Sequence, residues 1–229
     1  MNLRRINWEN IRISLVRLYK EYSISNQLAE DEKYLSEAYN YVENKWNEVF
    51  KTVEKPKFIL FGEAPLYGDE QNYFYNSTHK ATIFFNYSDT EALTGLKRSH
   101  NKSFRKIEMI QRINALGIII VDLFPFCFMP KKTAINYSDL EKRNKNLYLD
   151  LFEKNYSYFV NEKLEKILSK NKNVKFGFRY DRLKKPLETS LINKINKSFS
   201  HFNIKLDEIE SFSKQGGGLN TIKLKKNIN

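Results

Sequence analysis

Two short, unbroken apolar runs stand out, each beside a glycine: Phe58 to Phe61 (FILF) and Ile118 to Val121 (IIIV). A continuous apolar run of this length between turn residues is the pattern of a strand buried on both faces. Gly62 and Pro65 close the first run, one allowing a sharp exit and the other fixing the backbone just beyond it. Gly117 ends the segment that precedes the second. Asn173 to Phe178 predicts a third strand, Ala81 to Phe85 a short one, and Ile204 to Leu206 and Thr221 to Leu224 short final ones.

Most of the remaining apolar positions recur at helical spacing. Trp8, Ile11, Leu15, Leu18 and Tyr22 form one stripe; Leu35, Ala38, Val42, Trp46 and Val49, broadened by Tyr39 and Phe50, form a second. They predict a helical pair within residues 1–53, broken at Ser25 to Asp31, with Pro56 separating it from the first strand. Asp89 to Leu96 predicts a helical turn. Ser103 is placed to cap a helix with Phe104, Ile107, Ile110 and Asn114 on one side, and Ser138 to cap a short one. Phe152, Tyr156, Phe159, Leu164 and Ile167 mark a long amphipathic helix, and Leu187, Leu191, Ile195 and Phe199 step by four along another. Strands alternating with helices imply an α/β fold: a mainly parallel sheet of about four strands between helices. We expect a single domain over 1–229, with N-terminal helices at 1–55 packed on a core at 56–229.

This pattern locates candidate chemistry. Glu63 follows the first buried strand and Asp122 ends the second, so both acids fall at the carboxyl edge of the sheet, where open α/β sheets bind ligands. If the two strands are neighbours, the acids face one cleft. Tyr67, Tyr73, Phe74 and Tyr75 follow Glu63, and LFPFCFMP follows Asp122, its Pro125 and Pro130 favouring an extended loop. An acid beside flat apolar surfaces suits a site that holds a planar ring and does acid–base chemistry next to it. The plainer alternative is a solvated loop carboxylate with aromatics packing over the sheet edge.

Charge adds a class of partner. The 229 residues carry 39 Lys and Arg against 27 Asp and Glu, a net charge of +12, which favours polyanions and nucleic acid first. A Lys- and Asn-rich background composition explains the same number without selection for binding. The basic stretch Leu96 to Lys106 and Lys214 are the candidate phosphate contacts. Lys214 belongs to SFSKQGGGLN, whose three glycines, Gly217 among them, let backbone approach a ligand; it is not a phosphate-binding Walker loop. Cys127 is the only cysteine, so no internal disulfide forms, and no Cys/His cluster offers a metal site. No apolar run approaches a membrane span, and MNLRRINWEN has no apolar signal core. We expect a cytoplasmic monomer without metal or other cofactor.

The segment FILFGEAP, followed by the pair Asp69–Glu70 and then Phe74, resembles the first motif of the uracil-DNA glycosylase superfamily, in the branches reading G-E-A-P-G. The resemblance spans residues 57–224 and implies a four-stranded parallel sheet between helices. It implies that Glu63 is the acid that activates or positions water, with Asp69 as a second catalytic residue. Phe74 stacks on an extruded base, with Pro65 beside it. Asp122 occupies the place where the family commonly has an Asn that reads the pyrimidine edge. Leu219, on the glycine-rich loop, takes the place of a wedge inserted in the duplex. Leu66 replaces the last Gly of the motif, and no His-Pro-Ser follows the last strand; His201 is not followed by Pro.

The reading that follows is a DNA glycosylase-like protein that flips a base and hydrolyses its N-glycosidic bond, with DNA as its partner. The alternative, favoured by the missing His, is a non-catalytic nucleic-acid- or nucleobase-binding protein on the same scaffold. An unrelated α/β hydrolase or nucleotide-binding enzyme is a third reading, although no G-x-S-x-G nucleophile turn is present.

Overall fold

A computed structural model of the chain describes residues 3–65, 73–78, 84–97, 106–128, 132–137, 144–213 and 218–228. Helix α1 (Leu3–Glu21) and helix α2 (Leu28–Phe50) form the N-terminal pair, joined by a single 3-10 turn at Ser25–Gln27. Strand β1 (Phe58–Gly62) is followed by α3 (Tyr87–Thr94) and α4 (Lys106–Ala115), then β2 (Ile118–Asp122). Helix α5 (Lys145–Asn155) runs through a π-helical turn at Tyr156–Val160 into α6 (Asn161–Lys170). Strand β3 (Lys175–Phe178), α7 (Asp181–Ser198), the two-residue β4 (Glu210–Ser211) and α8 (Thr221–Ile228) complete the order.

Among the described residues the sheet has four strands in the order β2-β1-β3-β4, all parallel. The protein is thus an α/β fold, as the buried runs predict. Both faces of the sheet are covered: α3 packs with α4 and α8, and α5 with α1 and α7. That covering explains why β1 and β2 are buried along their whole length and read as unbroken apolar runs rather than alternating ones.

Edge strand β2 is sealed by side chains. The Ile120 N–H donates to the Tyr75 hydroxyl at 2.9 Å, and its carbonyl accepts from Trp46 Nε1 at 2.9 Å. A buried strand edge needs such partners. Trp46, the largest residue of the second predicted stripe, therefore ties α2 to the sheet. Beneath it, the buried Lys163 ammonium pairs with Glu43 and lies 3.3 Å from the Phe159 ring centroid.

Several local expectations need correction. Thr221 to Leu224 is the start of helix α8, not a strand: Thr221, Leu224 and Ile228 face inward at helical spacing while Ile222 is 67% exposed. Ile204 to Leu206 is not a strand, and the fourth strand lies at Glu210–Ser211. On α4 the buried face is Met109, Ile110, Ile113 and Asn114, whereas Ile107 is exposed. Phe84 and Phe85 lie in a bend; residues 81–83, like Ser103, Phe104 and Ser138, lie outside the described residues. The predicted turn near Asp89 is a full helix, held by a reciprocal cap in which Asn86 accepts from the Asp89 N–H and Asp89 from the Asn86 N–H.

Candidate active site

The two acids stand at adjacent strand ends. Gly62 pairs in register with Asp122, and the ladder continues past both strands: Leu123 N–H donates to Gly62 O at 3.0 Å and Phe124 N–H to Glu63 O at 2.8 Å. The backbone carrying each acid is therefore fixed by the sheet rather than by a free loop. Because β2 and β3 flank β1 on opposite sides, the chain reverses its direction of progress across the sheet there. This is the switch point where α/β sheets open a crevice.

A cavity of about 320 Å³ occupies this edge, lined by Glu63, Pro65, Tyr73, Phe74, Asp122 and Arg182, with Ala64, Phe84, Cys127, Tyr137 and Tyr180 completing its wall. Its size and apolar wall with a few convergent polar groups are those of a small-ligand site. Phe74 belongs to an aromatic cluster, its ring centroid 5.0 Å from Tyr75, 5.4 Å from Phe85 and 5.9 Å from Phe84. Lys106 fixes this wall from behind by donating to Tyr73 O at 3.0 Å; burial pulls its ammonium down to about 8. Arg179, buried after β3, donates to Phe84 O at 2.8 Å and so holds the Phe84 part of the same wall.

Glu63 is held on both carboxylate oxygens. Tyr148 from α5 donates to Oε1 at 3.1 Å, and the Arg182 guanidinium reaches Oε2 at 2.6 Å and Oε1 at 3.3 Å. Arg182 is itself 56% exposed in its side chain, so the pair bridges the crevice between β1 and β3 at its mouth. Asp122 is the opposite case. It is 5% exposed and, among the described residues, its carboxyl has no hydrogen-bond partner. Burial pushes it up to about 7, with the Lys163 charge opposing the shift and the Glu63 charge adding to it. Near neutrality Asp122 exists in both forms, so it is not the permanently ionised acceptor that a bare Asp suggests. Burial likewise pushes the neighbouring Cys127 thiol up to about 12.

Glu63, Pro65, Phe74 and Asp122 thus share one cavity. Leu219 does not serve as an exposed wedge: it is fully buried, and an isolated antiparallel bridge pairs Ser213 with it. Asp69, Lys214 and Gly217 lie outside the described residues. Within the basic stretch, Lys97 is exposed, but Lys106 is turned inward and is unsuited to a phosphate contact. Sequence reasoning missed Arg182, Tyr148 and Tyr137. Arg182 does leave a signal, since a basic residue in the first turn of a helix opposes the helix dipole, and such local conflicts often mark function.

Among the described residues, no group of three or more His, Cys, Asp or Glu side chains is placed to hold a metal, and no helix is long and apolar enough to cross a membrane. Compared with known proteins, the chain matches no family model, no curated protein and no solved structure.

Proposed function

We propose that this chain is a DNA glycosylase-like protein that takes a flipped base into the cavity and hydrolyses its N-glycosidic bond beside Glu63. The observation that carries the reading is the placing of two acids, one tightly held and one without a hydrogen bond among the described residues, at neighbouring strand ends on an aromatic-walled cavity. A planar base needs flat apolar walls and must leave the stack before its glycosidic carbon is reachable. The Glu63 carboxylate orients a water towards that carbon and favours the positive charge developing on the sugar as the bond to the base breaks. In the unliganded protein Arg182 offsets part of the negative charge of Glu63. A backbone phosphate arriving at the mouth competes with Glu63 for the guanidinium, which frees the carboxylate as substrate docks.

A second reading, binding of a nucleobase or nucleic acid without turnover, draws support from the same contacts: with Tyr148 and Arg182 on its oxygens, Glu63 serves equally as a structural anchor of the crevice. A panel of oligonucleotides, each with one candidate base or lesion, separates the two. Release of at least one base, revealed by alkaline cleavage at the abasic site, is the expected result. Binding without release across the panel supports the second reading, and absence of any binding rejects both.

A further inference from the structure

We propose that Asp122 is the specificity-determining residue of this cavity and that it selects a ring presenting two adjacent N–H donors, the edge that guanine carries. The inference rests on the reading that the cavity takes a planar base, and it adds which class of base.

The Asp122 carboxyl is open to a ligand. The residue is more than nine-tenths buried and lines the cavity, yet neither of its oxygens is among the described atoms that are both shut off from solvent and without a partner, so the carboxyl meets the cavity space rather than the packed core. Among the described residues nothing donates a hydrogen bond to it, and a mostly buried carboxyl favours a ligand that brings donors. The space for its carboxyl comes from Gly62, directly opposite in the ladder: a Cβ there would overlap Asp122 Oδ1. Sequence and fold together therefore keep an open carboxyl in an aromatic-walled cavity that also holds the Glu63–Arg182 pair.

The chemistry of the missing partners then selects the ligand. Among the described residues, six groups interact electrostatically with Asp122: Glu63, Lys163, Tyr73, Tyr75, Cys127 and Tyr180. None donates a hydrogen bond to it. A carboxylate is a two-oxygen acceptor and pairs best with two parallel N–H groups. The N1–H and exocyclic amino group of guanine supply that pair. Uracil and thymine present one N–H between two carbonyl oxygens, so one carboxylate oxygen would face a carbonyl. Guanine binding supplies what the apo site lacks and favours the ionised carboxylate, whereas uracil is accepted only when Asp122 carries a proton that it can donate.

The test is a calorimetric titration of the full chain with 2′-deoxyguanosine and with 2′-deoxyuridine at pH 8, for the wild type and for Asp122→Asn. A mismatched edge commonly costs about ten- to a hundredfold in affinity. We expect deoxyguanosine to bind the wild type tighter by that order, and Asp122→Asn to level or invert the preference, because an amide offers one donor and one acceptor. Deoxyuridine binding as tightly as deoxyguanosine overturns the role of Asp122 while leaving the cavity as a base site. A guanine preference that survives Asp122→Asn also overturns it. No binding of either nucleoside to the wild type overturns both this inference and the base-binding reading.

Discussion

Gly62 and Asp122 face each other at the ends of β1 and β2, and the Asp122 carboxyl fills the space that a side chain at position 62 would need. An added methyl also comes within 2.9 Å of the Phe84 ring. Because the sheet holds both backbones, neither can move aside cheaply. Gly62→Ala is expected to cost about 1–3 kcal/mol of stability, the usual range for overpacking, and to weaken ligand binding in the cavity. Urea denaturation checks the first effect; a variant as stable as the wild type would show that Asp122 has room to turn away.

The buried Asp122 makes stability depend on pH. Its folded value of about 7 lies above the ordinary 3.8, so the folded state binds the extra proton more tightly. The stability tied to that proton is complete below pH 3.8 and is lost as pH rises towards 7. Asp122→Asn removes this dependence. The gain from the substitution should be greater at pH 8 than at pH 5 by roughly 2 kcal/mol. Equal effects at the two pH values would place Asp122 in a better-solvated setting than the structure gives it.

Arg182 is more than half exposed, but its partner Glu63 is only 10% exposed. Arg182→Ala leaves that carboxylate with Tyr148 alone among the described residues and should cost about 1–3 kcal/mol of folding stability. If the residue docks substrate and sets Glu63, kcat/KM for base release falls about tenfold or more, mainly through KM. An unchanged kcat/KM would reduce the Arg182–Glu63 pair to a surface contact.

How much of this was legible beforehand follows from the range of each interaction. The runs FILF and IIIV and the glycines beside them carry their own burial signal, so β1, β2 and the placing of Glu63 and Asp122 at one edge could be read directly. The α8 segment misled because Ile222 and Leu224 alternate like a strand; only the packing of Leu224 and Ile228 against the core decides the period. Arg182 is legible only in part: its place in the first turn of α7 hints at function, but it lies 119 residues from Glu63, and only the strand order brings the two together. The burial of Leu219 and Lys106 is likewise a tertiary property, invisible in a glycine-rich or basic stretch.

The net charge of +12 leads us to expect DNA or RNA binding that weakens steeply with salt, since each neutralised phosphate releases condensed counterions. Lys97 and Arg182, both exposed, are the first residues to substitute. A titration over a range of salt concentrations reads the slope. No binding even at low salt would mean that the charge is background composition.

The most direct measurement compares base release by the wild type and by Glu63→Gln on one substrate, with binding titrated in parallel. The amide keeps the shape of Glu63 but loses its charge and basicity. Removing one such contribution should slow release by about a hundredfold or more, while DNA affinity, carried largely by phosphate contacts, stays close to that of the wild type. Circular dichroism of the variant shows that its fold is kept. Equal and substantial base release by the two proteins would contradict a catalytic Glu63.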